Sequence, residues 1–508
     1  MPTTPVPRSA ALLAPHGPGR RLARTLLAAL AVACASPGAW ASPPRAARPA
    51  PPPAPATANA DAASDIGRLP TEVEAVLQRA KVPREALSVV VVDVAGGTPR
   101  LSLNAHPSVN PASLMKLVTT QAALDLLGPT FTWRTPVFVD GPIRDGVLQG
   151  NLYLKGSGDP RLTVERLWLL LRRVQGLGIA RIQGDIVLDR SAFDVPPRDP
   201  GSFDGEALRP YNAAPDALLI NFKSLLLAFT PDRAGAVARV HVEPPLAGMQ
   251  VPATVPLSRE ACEDWRGGLR ADWSDPLRVR LAGSYPQACG ERLWPVAFAA
   301  PTQYAARAVA GLWQQLGGQL AGQVREGQVP AGLTPSLIHE SAPLAEVVRD
   351  INKFSNNVMA QQLYLSLSAQ RLGRGSFDAS RELVLAWWRE RIGDAPPVLD
   401  NGSGLSRDER ISAHALARLL RHAWVQPTMP ELLASLPLTG LDGTLRRSRA
   451  QASAHLKTGS LRDVAGVAGY VDGPDARRWV LVAIIHHPNA NAARAALDGL
   501  IDWTGQQP

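Results

Sequence analysis

The chain has 508 residues, 45% of them hydrophobic, with 47 prolines, 42 glycines and 3 cysteines. That size and apolar content exclude a disordered or collagen-like chain and a small disulfide-stapled scaffold, and leave room for about three domains at about 150 residues each. The formal net charge of +9 is a mild excess, and its arginines are scattered with no basic run interleaved with aromatics, so composition gives no argument for nucleic acid.

Residues 1–41 carry four arginines and no acid, an apolar run from Leu26 to Ala35, and a small-residue site at Ala39-Trp40-Ala41. This pattern reads as a secretory signal cleaved after Ala41, with export to the periplasm. The alternatives are an uncleaved anchor or a lipoprotein signal ending at Cys34, which the preceding Ala31-Val32-Ala33 match poorly. Removing the signal leaves 49 cations against 44 anions over 467 residues, and no later stretch is long and apolar enough to span a bilayer. Residues 42–64, with seven prolines between 43 and 55, are expected to be a disordered linker.

A helix is expected at Thr71–Ala80, then a hairpin from Leu87–Val94 and Arg100–Leu103 around Gly96-Gly97. Pro111 precedes a run with helical apolar spacing from Ser113 to Leu127. Strands follow at Thr132–Val139 and Val147–Leu154, a helix at Val164–Val174 and a strand at Ile182–Leu188. The proline-rich stretch 207–296 has low helix content, with strands at Ala236–Val242 and Leu277–Leu281. It also holds Cys262 and Cys289, 27 residues apart, which in an exported chain suggest a disulfide; two free buried thiols are the alternative. Helical pattern returns at Tyr304–Leu316 and Ala342–Ala369, and the chain closes with strands Val464–Val471 and Trp479–His486 and a helix at Ala492–Trp503.

No HExxH, GxxxxGK[ST], GxSxG or paired-cysteine zinc spacing occurs, and the histidines are scattered, so neither a metal nor another cofactor is expected. Only six of the 53 cations are lysines, and only Lys116 has a serine three residues before it, Ser113. That separation puts the hydroxyl and the amine on one helical face near a helix N-terminus. Alone it is an ordinary surface pair. Lys457-Thr458-Gly459-Ser460, just before the strand at 464, offers a cation, a hydroxyl and open backbone, which suits an extended ligand bearing a carboxylate. Alone it is a strand-end turn. Ser-x-Asn occurs at Ser102, Ser108 and Ser355, but only Ser355-Asn356-Asn357 falls between Lys116 and Lys457.

Taken in that order, Ser-x-x-Lys, Ser-x-Asn and Lys-Thr-Gly resemble the penicillin-interactive serine enzymes, the β-lactamases and penicillin-binding proteins. The 239 residues from Lys116 to Ser355 exceed what a compact β-lactamase uses. They resemble instead the low-molecular-mass class C D-alanyl-D-alanine carboxypeptidase/endopeptidases of the penicillin-binding protein 4 type. Further matches are Leu154-Lys155-Gly156-Ser157-Gly158-Asp159-Pro160, Gly184-Asp185-Ile186, the run from Asn401 to Arg407 and Asp442-Gly443-Thr444-Leu445-Arg446. Asn401 departs from the Asp that many members carry.

The resemblance implies an α+β transpeptidase fold, an antiparallel sheet with helices on both faces, carrying large insertions after the nucleophile helix. It divides the chain into a catalytic part at 65–135 and 330–508, an inserted domain at 136–206 and 297–329, and a nested one at 207–296. It also implies Ser113 as nucleophile, Lys116 as base, and Ser355 and Asn357 as proton relay and positioning groups. Lys457, Thr458, Gly459 and Ser460 would bind substrate, with Arg407 touching its diamino acid. The implied partners are peptidoglycan stem peptides, their cross-links and β-lactams; a β-lactamase or esterase, or a non-catalytic peptidoglycan-binding relative, are the rival readings.

Overall fold

The computed structural model describes residues 66–507. The expected signal peptide and linker lie outside the described residues. The central feature is a five-stranded antiparallel sheet in the order Leu101–Leu103, Leu87–Asp93, Arg478–His486, Val464–Asp472, Ala454–Ser460. Its strands join the two ends of the chain. Both faces are covered, which is why Leu87–Val92 reads as a nearly unbroken apolar run rather than an alternating one.

Period-two alternation sends the side chains to two cores. Val90, Val92, Val464, Val482 and Ile484 pack under the nucleophile helix and the helices Leu344–Phe354, Asn357–Leu372 and Ala413–Trp424. Val89, Val91, Val467, Leu481 and Ile485 pack under the terminal helices Thr71–Arg79 and Ala495–Gly505. The α+β arrangement implied by the resemblance is the one found.

A further core lies in the residues between the nucleophile helix and Ser355. It gathers Leu167, Leu171, Leu227, Phe229, Tyr304 and Trp313 from the helices Val164–Gly176 and Pro301–Gln315 and the sheet formed by Ser224–Asp232, Val237–Glu243 and Arg292–Ala297. The strand Leu337–Glu340 pairs with Arg134–Val139 in a sheet that also holds Leu152–Lys155 and Ile186–Asp189. Cys262 and Cys289 are bonded to each other at one end of this core.

Two expected strands are each split. Val147–Leu148 and Arg181–Ile182 pair in one sheet, while Leu152–Lys155 and Ile186–Asp189 pair in another. The chains turn the corner at Gly150 and Gly184, where a Cβ on Gly184 would sit 2.7 Å from the Gly150 carbonyl oxygen. The strand expected at Leu277–Leu281 shrinks to Arg280–Leu281, which pairs only with Ala271–Asp272.

The insertion is fixed to the catalytic part by a buried polar knot. Gln362 accepts from the Asp216 backbone N–H at 2.7 Å and donates to the Asp216 and Gly158 carbonyls. Asp216 is in turn paired with Lys223 at 2.9 Å and with Arg190. Gln362 lies on the helix that begins at Asn357, so this knot also anchors one wall of the site.

Candidate active site

Ser113 sits in a tight 3₁₀ turn, Ala112–Met115, that leads directly into the α-helix Lys116–Leu127. The helix is buried along its first nine residues, Lys116 among them, and Lys116 is fully buried. Its Nζ lies 2.9 Å from Ser113 Oγ, 2.6 Å from Asn357 Oδ1 and 2.5 Å from the Ser403 carbonyl oxygen. A neutral amine has two hydrogens and one lone pair. The amide oxygen and the carbonyl take the two hydrogens, which leaves the lone pair for the Ser113 hydroxyl.

Ser355 closes the helix Leu344–Phe354 in a left-handed conformation, φ 55° and ψ 38°. Asn356 then caps the next helix by accepting from the Met359 N–H at 3.0 Å. This kink turns Ser355 and Asn357 to the same cleft. Lys457, also fully buried, lies 2.9 Å from Ser355 Oγ and 2.7 Å from the Thr458 carbonyl oxygen. It sits on the edge strand Ala454–Ser460. Gly459 lets that strand approach the nucleophile turn, since a Cβ there would meet the Pro111 carbonyl oxygen at 2.7 Å.

Burial pushes Lys116 down to about 7, opposed by the negative charge of Glu409. Lys457 is also lowered, first by burial and second by the nearby Lys116 charge. Desolvation is thus the dominant cause at both lysines. Two buried amines this close disfavour double protonation, so a charge on Lys116 opposes one on Lys457.

The structure thus brings Ser113, Lys116, Ser355, Asn357 and the 457–460 strand to one cleft. Arg407 lines it too, its guanidinium stacked 4.5 Å over Phe203 and 3.8 Å from Asp463. Three residues escaped the sequence argument. Glu409, wholly buried, accepts from the N–H groups of Asn401, Gly402 and Gly404 at 3.1, 2.7 and 2.7 Å and so curls the loop that presents the Ser403 carbonyl to Lys116. Burial pushes its own carboxyl up to about 7. Thr444 accepts from the Thr458 hydroxyl at 2.7 Å, and Arg494 pairs with the Ser460 hydroxyl. Thr444 lay within a matched run, the only signal that pointed to it; the other two carried none.

A hydroxyl against a buried amine whose pKa is lowered to about 7, beside a second hydroxyl and a second buried amine, defines a serine acyl-transfer hydrolase of the penicillin-binding class. Residues 69–507 match the model of the D-Ala-D-Ala carboxypeptidase 3 (S13) family, and the chain belongs to that family. Its activity is that of a serine-type D-Ala-D-Ala carboxypeptidase. It is 29% identical over 454 residues to the D-alanyl-D-alanine carboxypeptidase of Actinomadura sp. (strain R39), covering 85% of this chain and 83% of the relative. It is 27% identical to the carboxypeptidase DacB of Haemophilus influenzae, covering 78% of this chain and 82% of the relative. The crystal structure of penicillin binding protein 4 from Haemophilus influenzae shares the fold, with a TM-score of 0.67 at 24% identity over 84% of this chain and 99% of that one.

Proposed function

We propose that the protein is an exported DD-peptidase that hydrolyses both D-Ala-D-Ala stem-peptide termini and D-Ala-diamino-acid cross-links of peptidoglycan, and that β-lactams acylate it. The observation that carries this reading is the contact set of Lys116, whose two acceptors leave its lone pair on Ser113.

Ser113 Oγ attacks the carbonyl of the D-Ala-X bond while its proton passes to Lys116. The tetrahedral oxyanion is held by the backbone N–H groups of Ser113 and Ser460, each such donor typically contributing roughly 10² to 10³ in rate. The C–N bond then breaks, and Ser355, 2.9 Å from Lys457, hands a proton to the departing amine. Asn357 orients Lys116 and the substrate amide. Lys457 and Thr458 hold the carboxylate of X, with Thr444 fixing the Thr458 hydroxyl. Water returns along the same proton path, releases the acyl group and restores the Ser113 hydroxyl. Arg407, on the acyl side of the cleft, faces the stem's diamino acid.

No carboxylate among the matched motifs stands ready to activate water, so a penicilloyl adduct is expected to persist. Labelled penicillin should mark the wild-type chain on a gel and leave Ser113→Ala unmarked. Absence of labelling in the wild type, or its survival in Ser113→Ala, would sink the reading.

A further inference from the structure

A second chamber adjoins the catalytic cleft. It has a volume of about 530 Å³ and shares Tyr211, Phe354, Ser355 and Asn357 with the cleft. Its walls include Phe222, Leu226, Pro295 and Val358, and it also includes the carboxylates of Glu165 and Glu243, both exposed. Leu226 lies on the middle strand between Glu243 and Pro295, on the opposite face from the core residues Leu225, Leu227 and Phe229.

One wall is held in a costly conformation. Asn221, Phe222 and Lys223 have φ of 42°, 56° and 51°, the left-handed region that residues with side chains rarely adopt. The turn is fixed by the buried Lys223–Asp216 pair and by Asn221 donating to the Ser224 carbonyl at 3.0 Å. Its product is a Phe222 that lines the chamber.

The chamber's place in the reaction follows from which residues it lacks. Arg407, assigned above to the stem's diamino acid, and Ser460, assigned to the oxyanion, border the cleft and not the chamber. Ser355, which serves the departing amine, borders both. We propose that the chamber is a leaving-group pocket for D-amino acids whose side chain has three or more methylenes and ends in a cationic or hydrogen-bond-donating group. This rests on the DD-peptidase reading above and deepens it. The methyl of D-alanine leaves such a space almost empty. The methylene chain of a diamino acid released from a cross-link suits the apolar walls, and Glu165, near Arg161 and Arg166, and Glu243, 3.3 Å from His241, accept from the amide N–H at its far end or from a free ammonium such as that of D-lysine.

The test is release of X from acyl-D-Ala-X peptides with X as D-alanine, D-norleucine and D-lysine. The wild type should favour the two long side chains in kcat/KM by roughly tenfold or more, the discrimination a buried methylene confers. Leu226→Trp should bring both down to the D-alanine value and leave D-Ala-D-Ala hydrolysis unchanged. The double variant Glu165→Gln with Glu243→Gln, at two exposed positions, should erase only the advantage of D-lysine over D-norleucine. Equal kcat/KM for all three in the wild type, or an equal effect of Leu226→Trp on all three, overturns the pocket while leaving the peptidase intact. No hydrolysis of any peptide together with no penicillin labelling overturns the Ser113 reading instead.

Discussion

A lysine sealed from water resists protonation, and that resistance is what makes Lys116 a base. The fall from 10.5 to about 7 corresponds to roughly 5 kcal/mol by the usual 1.36 kcal/mol per pKa unit. The sign follows from linkage: the unfolded chain binds the proton that the folded one refuses, so wild-type stability rises with pH between about 7 and 10.5 and this contribution is absent below that window. Lys116→Met, close to the same volume, should therefore abolish penicillin acylation. Its stability relative to wild type should fall as the pH rises from about 7 to 10, because only the wild type gains in that window. A difference in melting temperature that stays constant across that range would contradict the buried-base account.

Glu409 acts on the same lysine from the other side. The charged groups facing this pair are Lys457 beside Lys116, and Asp400 beside Glu409; the Tyr364 hydroxyl is also nearby. Removing the carboxylate charge removes the influence that raises Lys116. Glu409→Gln should thus move the acidic limb of acylation below pH 7. It should also cost about 1–3 kcal/mol in stability, because the new amide N–H₂ faces the Gly404 N–H with no acceptor between them. A pH profile of the acylation rate reads the first effect, and a fall in rate with an unmoved limb would reduce Glu409 to a purely structural support.

Among the elements, the kink at Ser355 combines catalysis and strain. The left-handed conformation places the hydroxyl beside Lys457 but costs a residue with a Cβ roughly 1–2 kcal/mol relative to glycine. Ser355→Gly should therefore hold or raise thermal stability while lowering acylation by roughly 10² to 10⁴, the range for loss of a proton-transfer group. Stability and rate measured on the same preparation decide it; a parallel loss of both would show that the serine is structural.

The same stretch shows what a sequence discloses. Ser113 and Lys116 were legible because three residues of separation fix two side chains on one helical face. Lys457 to Ser460 were legible because a strand edge exposes their backbone. The helices Phe377–Arg391, Ala413–Trp424 and Met429–Ser435 went unread. Glu409 was illegible because its meaning lies in a loop curling onto it, a shape that no periodicity encodes. Phe222 and Arg494 reach the site region from elements more than 100 and more than 300 residues from Ser113, through contacts that only the fold creates.

In the molecule as a whole, the cores under the sheet carry the chemistry, and the sheet of the third core presents the outer face of Leu226 and Pro295 to the chamber. Lys223 and Lys353, two lysines without a sequence motif, serve this architecture: Lys223 holds the knot at Asp216, and Lys353 ties Asp442 at 2.6 Å below the Thr444 turn. The insertion and the catalytic part meet at Asp216 and Gln362, at Arg161 with Glu346 and Asp350, and at Phe193 against Leu365, none of which involves the cysteines. The Cys262–Cys289 bond instead sits at one end of the third core, near Trp265, Tyr285, Phe229 and Trp294. Closing a loop of 27 residues contributes roughly 3 kcal/mol. Replacing both cysteines by serine should therefore destabilise this end locally, with protease cleavage between 259 and 290. Penicillin labelling at Ser113 should stay within about twofold, because the knot that fixes the helix of Asn357 does not pass through the disulfide. Loss of labelling in step with cleavage would instead mean that the insertion's far end supports the nucleophile, and the division of labour between the cores would have to be redrawn.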